Sequence, residues 1–359
     1  MRATPAWLRV AAGLGAFALV AFIGLALVGS RDPGAALDGF GLVMVAAIPA
    51  GVATYALVEY RQTGRLDSIT RQFGTRTLVL MPVAMALNVV LGTAVASALK
   101  IPIYLDSIGT VLVAALAGPL AGAATGFLSN LVWTYLAPPP FGTPYAAPFA
   151  VVAVVVGLLA GTFARWGWLR PRRGSSDRAL LIGGAVATGI VAVVALLALS
   201  GWSATGEEIR ATPRTTDAAL FILGWTALVL VAATFVGLVA LLVFRRDLTA
   251  AYVVVAGTVT GIVAAFIAAP IAAGLFGGVT GSGADFVIAA LRAAGAQLEQ
   301  AVLGQALMSD PVDKVITYFL AYLILEAMAT RTKARFPQGP YLLPLTDEQV
   351  DDAPAVRED

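Results

Sequence analysis

The sequence predicts an all-α, polytopic membrane protein of about ten transmembrane helices. Three observations carry that prediction. First, 59% of the 359 residues are hydrophobic, only 12% are charged, and the mean hydropathy is +0.87; a soluble domain carries about 25% charged residues. Second, apolar segments near the roughly 20 residues needed to cross about 30 Å of hydrocarbon recur along the chain. Third, the arginines gather in alternate connecting segments, as the positive-inside rule requires of a spanning chain.

The segments follow in order. Ala6–Gly29 exceeds a signal-peptide core and has no clear cleavage site. Gly39–Tyr60 and Leu78–Leu99 come next, then Ile108–Ala117, Leu120–Ala137 and Ala146–Phe163. Ala179–Trp202, Ala218–Phe244, Ala251–Phe276 and Val312–Ala329 complete the set. Ile108–Ala117 is short and ends at Gly118–Pro119, so Ile108–Ala137 is read as a bent hairpin that crosses twice. The charges support this count. With Met1 in the cytoplasm, strict alternation places Arg61 to Arg76, Arg165 to Arg178, Arg245 with Arg246, and Arg331 to Arg335 inside. A single crossing over Ile108–Ala137 would put the Arg165–Arg178 loop outside. The expected location is a cell membrane with both termini cytoplasmic. Arginine far outnumbers lysine and alanine is abundant, which fits a bacterial source. The tail Phe336–Asp359 is acidic and polar, and is expected to be disordered.

Composition also excludes chemistry. The chain has no Cys and no His, so disulfides, thiolate catalysis, Cys/His zinc sites and His-ligated haem are absent. Its only lysines are Lys100, Lys314 and Lys333, and none follows a glycine, so no phosphate-binding loop of the G-x-x-x-x-G-K-[ST] type exists. Any ATPase that drives this chain is a separate protein. No carboxylate pair lies at mid-depth and no nucleophile–base pair is evident, so no enzyme activity and no cofactor are expected. Nucleic-acid partners do not fit so apolar a chain.

Polar residues within or beside the spans gather toward the non-basic ends. Tyr104, Asp106 and Ser107 lie in "YLDSIGT", where Asp106 is placed either to cap the next helix or to meet a ligand. Asn130 and Trp133 lie on the fifth segment, and Tyr145 follows "PPPFGTPY". Intramembrane polar groups that face a cavity are candidate site residues, and Asn88 and Asn130 qualify. Ala84, Asn88, Gly92 and Ala96 recur every four residues, a small-residue ridge suited either to internal packing or to docking a membrane partner. The segment Gly277–Asp310 opens on a glycine-rich stretch and continues as an amphipathic helix, with Asp285, Arg292 and Glu299 on one face. This reads as a surface helix or a glycine-hinged lid, with Arg292 as its only basic residue. In "SDPVDKVITYF", Asp310 reads as an N-cap, Pro311 as the first helical residue and Asp313 as a favourable charge at the helix start. Lys314 is left over, paired with an aspartate or directed at a ligand beside Tyr318.

The stretch "LNVVLGTAVASALKIPIYLDSIGTVLVAALAGPLAGAATGFLSNLVW", with "SDPVDKVITYFLAYLIL", resembles the substrate-binding (S) components of energy-coupling factor (ECF) transporters. Pro311, Asp313 and Lys314 fit loosely the Pro-x-[ND]-x-[IVL]-K-like start of that family's last helix. The resemblance implies a six-helix core that captures a vitamin-like or other small organic nutrient, a transmembrane coupling subunit, and two ATPase subunits. It implies an S-component-like domain over 77–335, with two added helices in 1–76 and a two-helix insertion at about 179–247. It also implies a docking ridge of Ala84, Gly92 and Ala96, with loops Lys100–Ser107 and Gly277–Asp310 gating the pocket. The metal-carrying members use an N-terminal His, so the resemblance points away from cobalt and nickel. The aromatic groups Trp133, Tyr145 and Tyr318 suggest stacking on a ligand ring. A ligand-sensing module and a stand-alone secondary transporter are the competing readings.

Overall fold

The computed structural model describes residues 7–29, 36–98, 103–139, 141–172, 175–190 and 246–344, with isolated positions between 192 and 244. Every regular element among them is helical. Three helices, Thr75–Val95, Ala147–Arg165 and Thr249–Phe276, are long and apolar enough to cross a membrane. Their outer faces fit lipid. Leu78, Val79, Val83 and Phe266 are each more than half exposed, a run of apolar surface that water-soluble monomers rarely show.

Helix α1 (Trp7–Gly29) packs against α2 (Ala36–Thr63) as an antiparallel pair. Gly13 and Gly51 let the two backbones touch, since a Cβ on either glycine would meet the other's carbonyl. Arg9 reaches Glu59 at 3.4 Å and Gln62 at 2.6 Å, and Glu59 accepts from the Ser68 amide and hydroxyl. Helix α3 (Thr75–Gly92) ends in a π-helical turn, Thr93–Ala98.

Helix α4 (Ile108–Ala117) has ten residues, all buried. At 1.5 Å per residue that is about 15 Å, half a bilayer. It is a central strut wrapped by other helices. The chain reverses at Gly118, whose φ of 125° suits glycine, and Pro119 opens α5 (Pro119–Tyr135). The exposed amides at this start are met from elsewhere: Gln72 Oε1 accepts from Leu120 N at 2.8 Å. The predicted hairpin over Ile108–Ala137 is therefore present, with one short arm. Helix α6 (Ala150–Arg165) follows a 3₁₀ turn, Ala147–Phe149, and packs on α5 through Gly126, Gly157 and Gly161.

Residues 177–190 are helical, with Ala187 buried in the core; most of 191–245, including the bulk of Ala218–Phe244, lies outside the described residues, so the rest of that insertion is not placed. Helix α7 (Thr249–Phe276) ends at Gly277 in the left-handed conformation, φ 58°. Helix α8 (Ala284–Ala293) is short, and α9 runs from Leu298 to Ala327. The pair α7 and α9 form the most extensive contact in the fold. Gly257 and Gly261 make it possible, because a Cβ at either would run into the α9 backbone between Asp310 and Val315.

The structure alters three sequence expectations here. "SDPVDK" is not a helix start: α9 begins at Leu298 with Gln297 as its cap and a reciprocal Gln297–Gln300 box, and Pro311 lies inside the helix. The amphipathic segment is not one helix, because Gly295, at φ 99°, breaks it between α8 and α9. The tail is ordered as far as residue 344, where Phe336 and Leu342 are buried against the core; its acidic remainder lies outside the described residues. Of the two readings of the small-residue ridge, the burial of Ala84, Asn88 and Gly92 fits internal packing. Ala84 is buried against Val113, Ala117 and Ala121, and Gly92 lies against Trp133. The Ala96 side chain lies outside the described residues.

Candidate functional site

One end of the bundle carries most of the described arginines, among them Arg76, Arg165 and Arg172, with Arg292 on α8 as the exception. The opposite end gathers the C-terminal ends of α3, α5 and α7, the N-terminal ends of α4 and α6, and the middle of α9. There the helices line a partly open cavity of about 120 Å³. Its wall is apolar on the α6 and α7 sides, with Ala153, Val156, Ala264 and Ala268. Aromatic rings from four segments, Tyr104, Trp133, Tyr145 and Phe149, contribute to the rest. Polar groups line one side, chiefly Asp106, Ser107, Asp310 and Lys314.

The polar side is held by a network centred on α9. Lys314 is buried and donates to Ser107 Oγ at 2.8 Å and to the neighbouring Asp313 carboxylate. Asp106 Oδ1 lies 3.6 Å from the same ammonium. The other oxygen of Asp313 accepts from the backbone amides of Tyr104, at 3.0 Å, and Leu105, at 2.7 Å. Asp313 thereby fastens the segment before α4 onto α9. The fastening matters because Leu105 sits at φ 50°, which non-glycine residues rarely adopt. Asp106 does not cap α4; the residue at that position is Ser107, and no side chain caps the helix. Burial raises the Asp106 carboxyl above its ordinary range, with Lys314 opposing the rise. Burial also raises the Tyr104 hydroxyl, and the nearby Asp310 carboxylate adds to it.

Trp133 is fixed by its indole N–H, which donates to Phe141 O at 2.7 Å and to Thr93 Oγ1 at 3.1 Å. Tyr145 packs edge-on against Phe276, with ring centres 5.4 Å apart, and Phe149 stacks on the same ring at 5.8 Å. Asn130 lines the cavity while its amide N–H donates to Gly126 O at 3.0 Å.

Six of the ten candidate ligand residues meet at this cavity: Tyr104, Asp106, Asn130, Trp133, Tyr145 and Lys314. The other four do not. Asn88 is a structural knot: it donates to Thr110 at 2.9 Å and Ser129 at 3.0 Å, and accepts from Gly109 N at 2.7 Å. Tyr318 is fully buried in the core and bonds Thr260 at 2.9 Å. Asp285 stitches the glycine-rich turn by accepting from the amides of Thr280 and Gly281. Arg292 is exposed on α8, away from the lining.

Sequence reasoning assigned Asp310 to a helix cap and overlooked Phe149 and Gln305, which also line the cavity. A signal for the α9 residues existed. Gln305, Ser309 and Asp313 recur every four residues, one polar face of a continuous helix. Among the described residues, no three acidic side chains converge closely enough to hold a metal ion. No family model, curated protein or solved structure matches the chain.

Proposed function

We propose that this chain is the substrate-capture component of an ECF-type importer for a small organic nutrient. One observation carries the reading: a cavity with aromatic walls and a few convergent polar groups lies at the end of the bundle opposite the arginines. Ligand pockets have this make-up, mostly apolar with a handful of oriented polar groups. Under the positive-inside rule that end faces away from the cytoplasm, where a capture protein meets its ligand. The proposal includes the ten-helix topology, cytoplasmic termini, a bacterial plasma-membrane location, and a separate coupling subunit with two ATPases. The mechanism is binding and conformational gating with no covalent step. Residues 103–107 are the natural gate, since Tyr104, Asp106 and Ser107 line the cavity and the segment is pinned to α9 chiefly through Asp313.

The decisive experiment is native mass spectrometry of the full chain purified in mild detergent. A retained small organic molecule supports the reading. Uptake that persists in cells lacking every candidate ATPase refutes the importer assignment. That result would favour a stand-alone secondary transporter, for which the buried carboxylates around Lys314 offer a coupling site.

A further inference from the structure

We propose that the cavity is built for a small organic cation, an ammonium group carried on a single aromatic ring, with Asp310 as its counter-ion. The proposal rests on reading this cavity as the capture site. It goes further by assigning the sign of charge and the size of the ligand.

Asp310 lines the cavity and is only 7% exposed. Among the described residues its one hydrogen-bond donor is Ser309 Oγ, at 3.4 Å, and no Lys or Arg lies within ion-pair distance. A buried carboxylate charge without a cation is costly, and an ammonium group on a ligand would offset that cost. Among the described residues, the only cation on the cavity wall is already engaged. Lys314 is held by Asp313, by Asp106 and by Ser107. An anionic ligand would have to displace those contacts and settle beside Asp310. A cationic ligand disturbs none of them.

The remaining walls suit the same ligand. Tyr104, Trp133, Tyr145 and Phe149 present aromatic rings, whose faces attract ammonium groups. The Trp133 N–H is spent on Phe141 and Thr93, so the indole contributes its ring rather than a donor. Size narrows the choice: about 120 Å³ is less than the roughly 150 Å³ of an engineered apolar cavity that accepts one benzene, so the cavity admits at most one ring. Asp310 cannot easily withdraw, because its backbone is wedged against Gly261 on α7.

The test uses the full chain in nanodiscs at neutral pH and fixed salt. Calorimetry compares three probes of one shape: 2-phenylethylamine, 2-phenylethanol and phenylacetate. The expected order is amine first, at least ~10-fold tighter than the alcohol, with phenylacetate weakest. Asp310→Asn is expected to weaken the amine by roughly 10- to 100-fold and to leave the alcohol unchanged. Should that variant not fold, the ranking on the unaltered chain decides. Phenylacetate binding as tightly as the amine, or an amine preference that survives Asp310→Asn, overturns the charge assignment. Native mass spectrometry that finds an anionic retained molecule overturns it too, while leaving the capture reading intact. If no probe binds and no molecule is retained, both fall.

Discussion

Asp313 offers the sharpest test of how the site is held. Its side chain is fully buried and serves three partners: the amides of Tyr104 and Leu105, and the Lys314 ammonium. Asp313→Ala removes all three. Each hydrogen bond to a charged group contributes about 1.5–3 kcal/mol, and stripping one member from a buried pair costs about 3–5 kcal/mol. These terms overlap, because Asp106 still faces Lys314 at 3.6 Å. A loss of about 4 kcal/mol is therefore expected for Ala. Asp313→Asn keeps an oxygen for the two amides and loses only the charge, so about 2 kcal/mol is expected. Thermal unfolding in one detergent, followed by intrinsic fluorescence, should rank wild type above Asn and Asn above Ala. Limited proteolysis should cut residues 103–107 faster in Ala, because the strained Leu105 turn loses its anchor. Equal melting temperatures for all three proteins would refute the claim that Asp313 fastens this segment.

Three further outcomes follow from the same structure. Asn88→Ala breaks a knot of three hydrogen bonds joining α3 to α4 and α5, and should cost about 2–4 kcal/mol of stability without changing ligand selectivity, as read by melting and calorimetry. Gly261→Leu should abolish a monodisperse peak on size-exclusion chromatography, since the α9 backbone at Asp310 and Pro311 occupies the space the side chain needs. Asp247 is the clasp of the arginine end, accepting from Tyr322 Oη at 2.5 Å, Thr249 N at 2.9 Å and Arg172 N at 3.1 Å. Burial pushes its carboxyl up, but these bonds outweigh burial and hold it below the ordinary 3.8. A depressed value means the clasp contributes fully above that pH and fades as pH falls below it. The melting temperature of wild type should thus drop more steeply below about pH 4 than that of Asp247→Asn.

Lys314 illustrates what sequence leaves open. Its place beside a helix start suggested a residue aimed at a ligand. In the fold it lies mid-helix and its charge is met by two aspartates, one of them from a segment some two hundred residues away. Lys314→Met is expected to destabilise the fold, because it leaves the buried Asp313, and Asp106 beside it, without their cation.

The sequence by itself determined the all-helical class of the described residues and the course of several of their helices. Apolar length and arginine placement are local properties, additive along the chain, so α1, α4, α5, α6 and α7 begin and end within a few residues of the segments read from composition. Six of the ten candidate ligand residues were legible for a similar reason: a polar or aromatic group near the end of an apolar run is costly and therefore informative. Only the tertiary structure decided what each polar group meets. Asn88 and Tyr318 found partners inside the core, Asp313 turned to a backbone, and Asp310 was left facing the cavity. Which polar group is satisfied and which is left for a ligand depends on contacts between distant helices. Those contacts rest on Gly109, Gly257 and Gly261 admitting a neighbouring backbone, a fit that composition does not encode.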